Sequence, residues 1–271
     1  MAADTGSLAV IVTGGAGGLG RAMTLGLAKA GVRVAAAELA ARREASDELL
    51  SIARSEDLQD RIAVIDCDVT DYGDCAAAVQ KSIDRFGAVH GLVNNAAIGM
   101  QNIGPVQVGT RKKFYEVEAP TWCRSIETNV CGAYQMARAI APMLVEQGWG
   151  RIVNVTTSHF TMVMQGFSPY GPSKAALEAA TVIWAKDLAD TGVTVNALVP
   201  GGPANTRMIP HSEISDRATL IQPEVMVAPI CWLMSRASDG VSSRRIIAKE
   251  WNADVARDTP AQVGAPAGWP G

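Results

Sequence analysis

Little in this chain is aromatic: Trp, Tyr and Phe together make up 5% of its 271 residues. Histidine is scarcer, with only His90, His159 and His211, far apart in sequence, so a histidine-based metal site is not expected and no metal is assigned. The five cysteines (Cys67, Cys75, Cys123, Cys131 and Cys231) are scattered and form no C-x-x-C pair. That argues against both a disulfide framework and a zinc site, and makes a reducing, cytoplasmic setting the expectation. No apolar run reaches the roughly 18–20 residues needed to span a bilayer. Met1–Ser7 lacks a basic stretch, so it is not read as a secretory signal. Neither sign of charge is in excess. A formal net charge of −3 offers no electrostatic case for nucleic acid or an anionic membrane.

What is abundant is small and aliphatic. Residues from the hydrophobic set make up 48% of the chain, with 26 glycines. Apolar runs alternate with amphipathic stretches. Strands are expected at Leu8–Thr13, Val32–Ala37, Ile62–Asp66, Val89–Asn94, Arg151–Thr156 and Val193–Val199, with a short last one near 244–248. Helices are expected near 19–30, 40–54, 72–85, 121–147, 169–190 and 223–235. Strands separated by helices of this length imply βαβ units, a mostly parallel seven-stranded sheet and right-handed crossovers, that is, a doubly wound α/β domain. No repeat or linker divides it, so residues 1–257 are read as one domain. The Pro/Gly-rich tail 258–271 is expected to be disordered or loosely packed, with an arm lying on another subunit as the alternative.

Between the first strand and helix stands Thr13-Gly14-Gly15-Ala16-Gly17-Gly18-Leu19-Gly20. It satisfies G-x-G-x-x-G and equally T-G-x-x-x-G-x-G. Glycines there let backbone approach a pyrophosphate, and the helix N-terminus offers unpaired N–H groups to it. Glu38 ends the second strand, where a carboxylate would accept from ribose hydroxyls and repel the extra phosphate of NADP. NAD is therefore the expected cofactor, with NADP the alternative. Arg42 and Arg43 follow and are expected to face solvent.

Tyr170-Gly171-Pro172-Ser173-Lys174 places a phenol and an ammonium one turn apart on one helix face. A lysine beside a phenol is expected to lower its pKa toward the operating range, suiting Tyr170 to proton transfer.

Taken in order, these motifs resemble the short-chain dehydrogenases/reductases, in their compact single-domain form, over about Leu8 to Ala248. The glycine loop is similar to that family's T-G-x-x-x-G-x-G. Cys67-Asp68-Val69 resembles the segment bordering the adenine, and Asn94-Asn95-Ala96-Ala97 the N-N-A-G after the fourth strand. Asn129 resembles the helix asparagine that holds a water in a proton relay. Tyr170 and Lys174 match the family pair, and Pro200-Gly201 the P-G beside the nicotinamide. The resemblance implies a hydride-transferring oxidoreductase of a secondary alcohol or ketone. Asn129 would support the relay, a hydroxyl would hold the substrate oxygen, Tyr170 would be the acid/base, and Lys174 would bind the nicotinamide ribose. It implies cofactor contacts from Gly14, Gly18, Leu19, Gly20, Glu38, Asp68, Val69, Asn95, Ala96, Tyr170, Lys174, Pro200, Gly201, Pro203 and Thr206. It also implies a homo-oligomer, tetramer or dimer, built on the helices near 121–147 and 169–190.

The sequence departs from the family pattern in three places. The usual serine, thirteen positions before the tyrosine and three after Asn154, is here Thr157, with Ser158 next to it; Thr157 is preferred, and both can serve only if the chain turns between them. Ala97 replaces a glycine, which is expected to need only a minor backbone adjustment. Pro200-Gly201-Gly202-Pro203-Ala204-Asn205-Thr206 is one residue longer than the usual family segment, leaving Thr206 as carboxamide partner with Asn205 the alternative. Segment 99–118, with Gly104-Pro105 and Arg111-Lys112-Lys113, is about ten residues beyond the family norm and is expected at the site's mouth, on the carboxyl ends of the strands, or as a solvated loop. His159–Phe167, rich in Met and Phe, is read as an apolar pocket wall for an aromatic or alicyclic alcohol, with core or subunit contact the alternative. Arg207 and the stretch to about Pro223 resemble a substrate lid, Arg207 itself being read as a surface residue. An NADPH-dependent ketone or ketoacyl reductase is the alternative enzyme, and a non-catalytic dinucleotide-binding protein the alternative class.

Overall fold

The computed structural model describes residues 8–104, 109–210, 214 and 216–269. The elements follow the apolar periodicity closely. Eight strands, β1 (Ala9–Thr13), β2 (Arg33–Glu38), β3 (Ile62–Asp66), β4 (Gly91–Asn94), β5 (Gly150–Val155), β6 (Val193–Val199), β7 (Arg244–Ile247) and β8 (Ala265–Pro266), form one sheet in the order β3-β2-β1-β4-β5-β6-β7-β8. Every pairing is parallel except β7 with β8. The helices are α1 (Gly18–Lys29), α2 (Arg43–Ser55), α3 (Tyr72–Phe86), α4 (Ala119–Ile126), α5 (Gly132–Glu146), α6 (His159–Met162), α7 (Tyr170–Asp187), α8 (Val227–Leu233) and α9 (Ala253–Asp258).

Both faces of the sheet are covered, which is why its strands read as apolar runs rather than alternating ones. Along β1, Val10 and Val12 join Met23 and Leu27 of α1, Leu49 of α2 and Ile230 of α8 in one cluster. Ala9 and Ile11 point the other way, to Ala78 of α3 and Met136, Ile140 and Leu144 of α5. The chain winds outward in one direction from β1 to β3 and in the other from β4 to β7. The strand order therefore reverses between β1 and β4, opening a crevice at their carboxyl ends.

The expected helix over 121–147 is interrupted. A π turn at Glu127–Cys131 separates α4 from α5, and Asn129 sits inside it. Single π turns of this kind commonly mark functional positions in helices.

The tail differs from expectation and accounts for the eighth strand. Arg244 pairs with Pro266 and Arg245 with Ala265, and Ala267 N–H donates to Ser243 O at 2.8 Å. Arg244 Nε donates to Val263 O at 3.0 Å, and Val263 is buried. Gly264 makes this return possible. Its φ is +66°, and a Cβ there would lie 2.4 Å from Arg245 O. Proline-rich composition argued against a helix, but it could not reveal that β7 presents an unpaired edge for the tail to cover.

Candidate active site

The glycine loop leaves β1 and opens α1 with no side-chain cap and no acidic residue in the first turn, so its N–H groups are available to an anion. Gly14 takes a φ of +62° and Gly18 of +54°. A Cβ at Gly20 would meet Gly14 O at 2.1 Å, so the loop closes on itself only with glycine there. Thr13 braces it from beneath: Thr13 Oγ1 accepts from the N–H groups of Asn95 and Ala96, each at 3.0 Å. Asn95 Nδ2 returns the contact, donating to Thr13 O at 2.9 Å and Gly14 O at 3.2 Å. The ends of β1 and β4 are thus locked on either side of the crevice. Ala97 has a negative φ, so its added methyl is accommodated without backbone strain.

Glu38 is buried at the end of β2, and its carboxylate accepts from Leu39 N at 3.2 Å and Ala16 N at 3.4 Å. The expectation for Arg42 needs correction. Arg43 is exposed, but Arg42 lies in a 3-10 turn, Ala40–Arg42, and folds back over the loop. Its Nε is 3.6 Å from Glu38 Oε1, and its Nη2 would be 3.2 Å from a Cβ on Gly17. The turn before α2 brings this side chain round, and helical spacing counted from the strand could not show it. Asp68 is exposed, and its carboxylate holds its own turn by accepting from Thr70 N and Oγ1 at 2.9 and 2.8 Å. Val69 is buried and packs where a Cβ on Gly132 would come within 2.6 Å.

After β6, the Pro200–Thr206 segment reaches back to the loop. Gly201 has a φ of +98°, and Thr206 Cγ2 would lie 3.2 Å from a Cβ on Gly18. Asn205 is already engaged, accepting from Arg217 Nε and donating to Gln222 Oε1, each at 2.7 Å. Arg217 also donates to Thr206 O and Ile209 O, both at 2.9 Å. This arginine, which ties the segment after Thr206 to Asn205 and Thr206, goes unseen in the sequence because nothing local distinguishes it. Arg207 is exposed, as expected. Residues 211–213 and 215 of the expected lid lie outside the described residues, as do 105–108 of the long segment before α4.

At the other side of the crevice, Tyr170 opens α7, and the Thr157 side chain lies near enough to its phenol to favour the ionised form. The neighbouring hydroxyl is used elsewhere. Ser158 caps α6, its Oγ accepting from Thr161 N at 3.0 Å. The chain does turn after Thr157, and the turn consumes Ser158. Lys174 is buried, and its Nζ donates to Val155 O at 2.8 Å. Burial pushes the lysine down to about 8. The phenol does not behave as the Y-x-x-x-K pattern suggests. Burial pushes it up to about 12, opposed by the Thr157 side chain. In the protein's own surroundings desolvation outweighs the Thr157 side chain, and the phenol stays protonated.

Asn129 is buried, with its Oδ1 accepting from Ile98 N at 2.7 Å and its Nδ2 donating to Ile98 O and Ser173 Oγ, both at 3.0 Å. Ser173 Oγ in turn donates to Tyr170 O at 2.7 Å. The Asn129 amide ties the crevice floor to the first turn of α7. Ser173, inside Y-x-x-x-K, is the partner that reading of the pattern passed over.

The described part of the long segment leans on the expected pocket wall. Arg111 lies 4.4 Å from the centre of the Phe167 ring and donates to Met164 Sδ at 3.0 Å. Trp122 Nε1 donates to Ser168 Oγ at 3.0 Å. Phe167 meets Tyr170 edge-on at 6.4 Å. The wall is only partly apolar cover, because Phe160 and Val163 are 71% and 76% exposed. Among the described residues no three His, Cys, Asp or Glu gather as a metal-ligand set, and no helix is long and apolar enough to cross a membrane.

The uncapped helix, the glycine cradle and the Glu38 carboxylate fit a dinucleotide on residues 13–20, 38 and 95–96. The phenol and hydroxyl stand across the crevice from them. Comparison with known proteins agrees: the profile of the family described as short chain dehydrogenase matches residues 8–215. The chain is 32% identical over 263 residues to fluoren-9-ol dehydrogenase of Terrabacter sp., covering 90% of this chain and 71% of that one. It is 30% identical over 223 residues to acetoacetyl-CoA reductase of Shinella zoogloeoides, covering 82% and 84%. Among solved structures, a putative gluconate dehydrogenase from Agrobacterium tumefaciens superposes with a TM-score of 0.76 at 28% identity, covering 90% and 94%. The chain belongs to the short-chain dehydrogenase/reductase family of oxidoreductases.

Proposed function

We propose that this protein is an NAD-linked dehydrogenase of secondary alcohols, also working in reverse on the ketone, with an apolar or aromatic substrate. The observation that carries this reading is the Thr157 side chain beside the Tyr170 phenol, with a buried Lys174 one helical turn on and anchored to Val155 O. Thr157 holds the substrate oxygen, and the phenol of Tyr170 gives that oxygen its proton or takes it away. Lys174, fixed through Val155 O, binds the nicotinamide ribose and keeps positive charge near the phenol. Asn129 acts through Ser173 as a positioning residue. A bound nicotinamide supplies the hydride acceptor or donor and, when oxidised, a positive charge favouring the phenolate.

Gly14, Gly18, Leu19 and Gly20 hold the pyrophosphate; Glu38 the adenosine ribose; Asp68 and Val69 border the adenine; Asn95, Ala96, Pro200, Gly201, Pro203 and Thr206 line the nicotinamide side. Glu38 favours NAD by repelling a 2′-phosphate. One observation favours the second reading, NADPH-dependent reduction. Arg42 stands beside Gly17, and its buried Nε makes no hydrogen bond. A guanidinium there would pair with a 2′-phosphate. Titration with NADH and NADPH decides between them. Under the NAD reading, Glu38→Ala narrows the preference for NADH by about tenfold, about 1.4 kcal/mol, the order of one charge-assisted hydrogen bond. Tighter binding of NADPH by the unmodified protein would overturn the NAD reading.

Fluoren-9-ol and acetoacetyl-CoA, taken from the names of the relatives, are the first substrates to assay. Turnover of neither them nor a wider panel of alcohols and ketones would favour a dinucleotide-binding protein without activity. Helix α5 exposes Tyr134 and Val145, and helix α7 exposes Ile183. We place the contacts of a dimer or tetramer on them, to be checked by sedimentation.

A further inference from the structure

Four parts of the chain converge on one buried carboxylate. Glu178 lies on α7, one turn beyond Lys174, and is 0% exposed. Its Oε2 accepts from Thr156 Oγ1 at 2.8 Å and from Arg245 Nη1 at 2.7 Å. Its Oε1 accepts from the N–H of Gly268, in the C-terminal tail, at 3.3 Å. Arg245, on β7, is itself buried, and its second arm reaches further: Nη2 donates to the backbone carbonyl of Thr157 at 2.5 Å. One guanidinium fork therefore joins a carboxylate on the Tyr170 helix to the backbone of the residue beside the phenol.

The surroundings explain why Thr157 needs such support. The last sheet bond of this segment is Thr156 N–H to Leu198 O at 3.0 Å. Beyond it the chain leaves the ladder, and Ser158 already caps α6. Thr157 thus stands between the end of β5 and the start of a one-turn helix, where neither element sets its orientation. A buried ion pair is a poor stabiliser in itself, since apolar residues of like volume commonly serve as well. Its geometry here suits a different task.

We propose that Glu178 and Arg245 are positioning residues that hold Thr157 in register with Tyr170. This rests on the reading of Thr157 and Tyr170 as the proton-transfer pair. The Thr157 side chain opposes the effect of burial on the phenol, so loosening Thr157 makes Tyr170 harder to ionise.

The test follows Tyr170 ionisation through the tyrosinate ultraviolet band, with NAD⁺ present. It is read as the difference between each protein and the same protein carrying Tyr170→Phe. Arg245→Lys keeps a charge for Glu178 but has no fork to reach Thr157 as well. Glu178→Leu combined with Arg245→Met removes the pair without leaving a buried unpaired charge, and serves where the lysine variant fails to fold. The expected result is a rise of about half a unit in the Tyr170 midpoint, threefold in the ionisation constant, for Thr157→Ala and for either pair variant. No further rise is expected when a pair variant is added to Thr157→Ala. A lower Tm with an unmoved Tyr170 midpoint would make the pair merely structural and overturn the proposal, while the acid/base reading stands. A rise that persists undiminished in the Thr157→Ala background would overturn the route through Thr157. An unmoved midpoint in Thr157→Ala alone would overturn the pairing of Thr157 with Tyr170, and the proposal with it.

Discussion

Two arginines are buried in this sheet, and they do different things. Arg151, on β5, is 1% exposed and Arg245, on β7, is 5% exposed. Arg151 points to the amino ends of the strands. It pairs with Asp239, donates to the carbonyls of Gly150 at 2.9 Å and Ser235 at 3.4 Å, and lies 4.1 Å from the centre of the Trp149 ring. Burial lowers the pKa of its guanidinium, and Asp239 opposes that. Everything it touches is framework. Arg245 reaches the carboxyl end of β5, where its partners are Glu178 and Thr157, the residue before the α6 cap and beside the phenol. The same side chain, at nearly the same burial, closes the sheet at one end and serves the crevice at the other. In a parallel sheet it is the end of the strand, more than burial or pairing, that separates structure from chemistry.

Substitutions at the two ends should separate cleanly. The largest effect is expected at the carboxyl end: Tyr170→Phe should lower kcat by about 10²-fold or more, the usual scale for a positioned acid/base, with cofactor titration unchanged. Near-wild-type turnover on the substrate panel would break the comparison.

Next is the stability effect of Lys174. Its pKa in the folded protein, about 8, lies below the ordinary 10.5 because of burial. Between those values the unfolded chain holds the proton more tightly, so this group's contribution to stability rises with pH from about 8 to 10.5 and is unfavourable below 8. Lys174→Met should therefore melt higher than wild type near pH 7, by an amount equivalent to about 2–3 kcal/mol. The gap should close as pH rises toward 10. Thermal melts across that range check it, and a gap independent of pH would refute the cause.

At the amino end, Arg151→Met should cost on the order of 1–3 kcal/mol of stability, through lost carbonyl contacts and the pairing with Asp239. The kcat of the folded fraction should stay within about twofold, far below the 10²-fold scale of losing an acid/base. A kcat loss rivalling that of Tyr170→Phe would erase the distinction between the ends.

The smallest effect sharpens the crevice's outer limit. Arg111→Ala removes the cation from the Phe167 ring and should raise KM for a bulky alcohol such as fluoren-9-ol by about threefold, within the range of one exposed cation–π contact. An unchanged KM would return the 99–118 segment to a plain surface role.

Legibility in the sequence followed the range of the interactions. The strands from Ile62 and from Val193 were placed to the residue, because parallel strands buried on both faces announce themselves as apolar runs. The glycine loop and the Tyr170–Lys174 spacing are local in the same sense. What escaped was contact between distant segments. Arg42 reads as a helix residue, yet it folds over Gly17. The tail reads as loose, yet it pairs with β7. Asn129 sits in a π turn and ties Ile98 to Ser173, which no local pattern shows.

By itself, then, the sequence determined the doubly wound sheet, its crevice and the chemical types gathered there, since short-range periodicity and glycine spacing dictate local conformation. Only the tertiary structure decided that Thr157 rather than Ser158 lies beside the phenol, that burial holds that phenol near 12, and that one Arg245 fork joins Glu178 to the Thr157 carbonyl. Those facts depend on which groups are removed from water together, and partners 67 and 88 residues apart leave no mark on each other's neighbourhood in the chain.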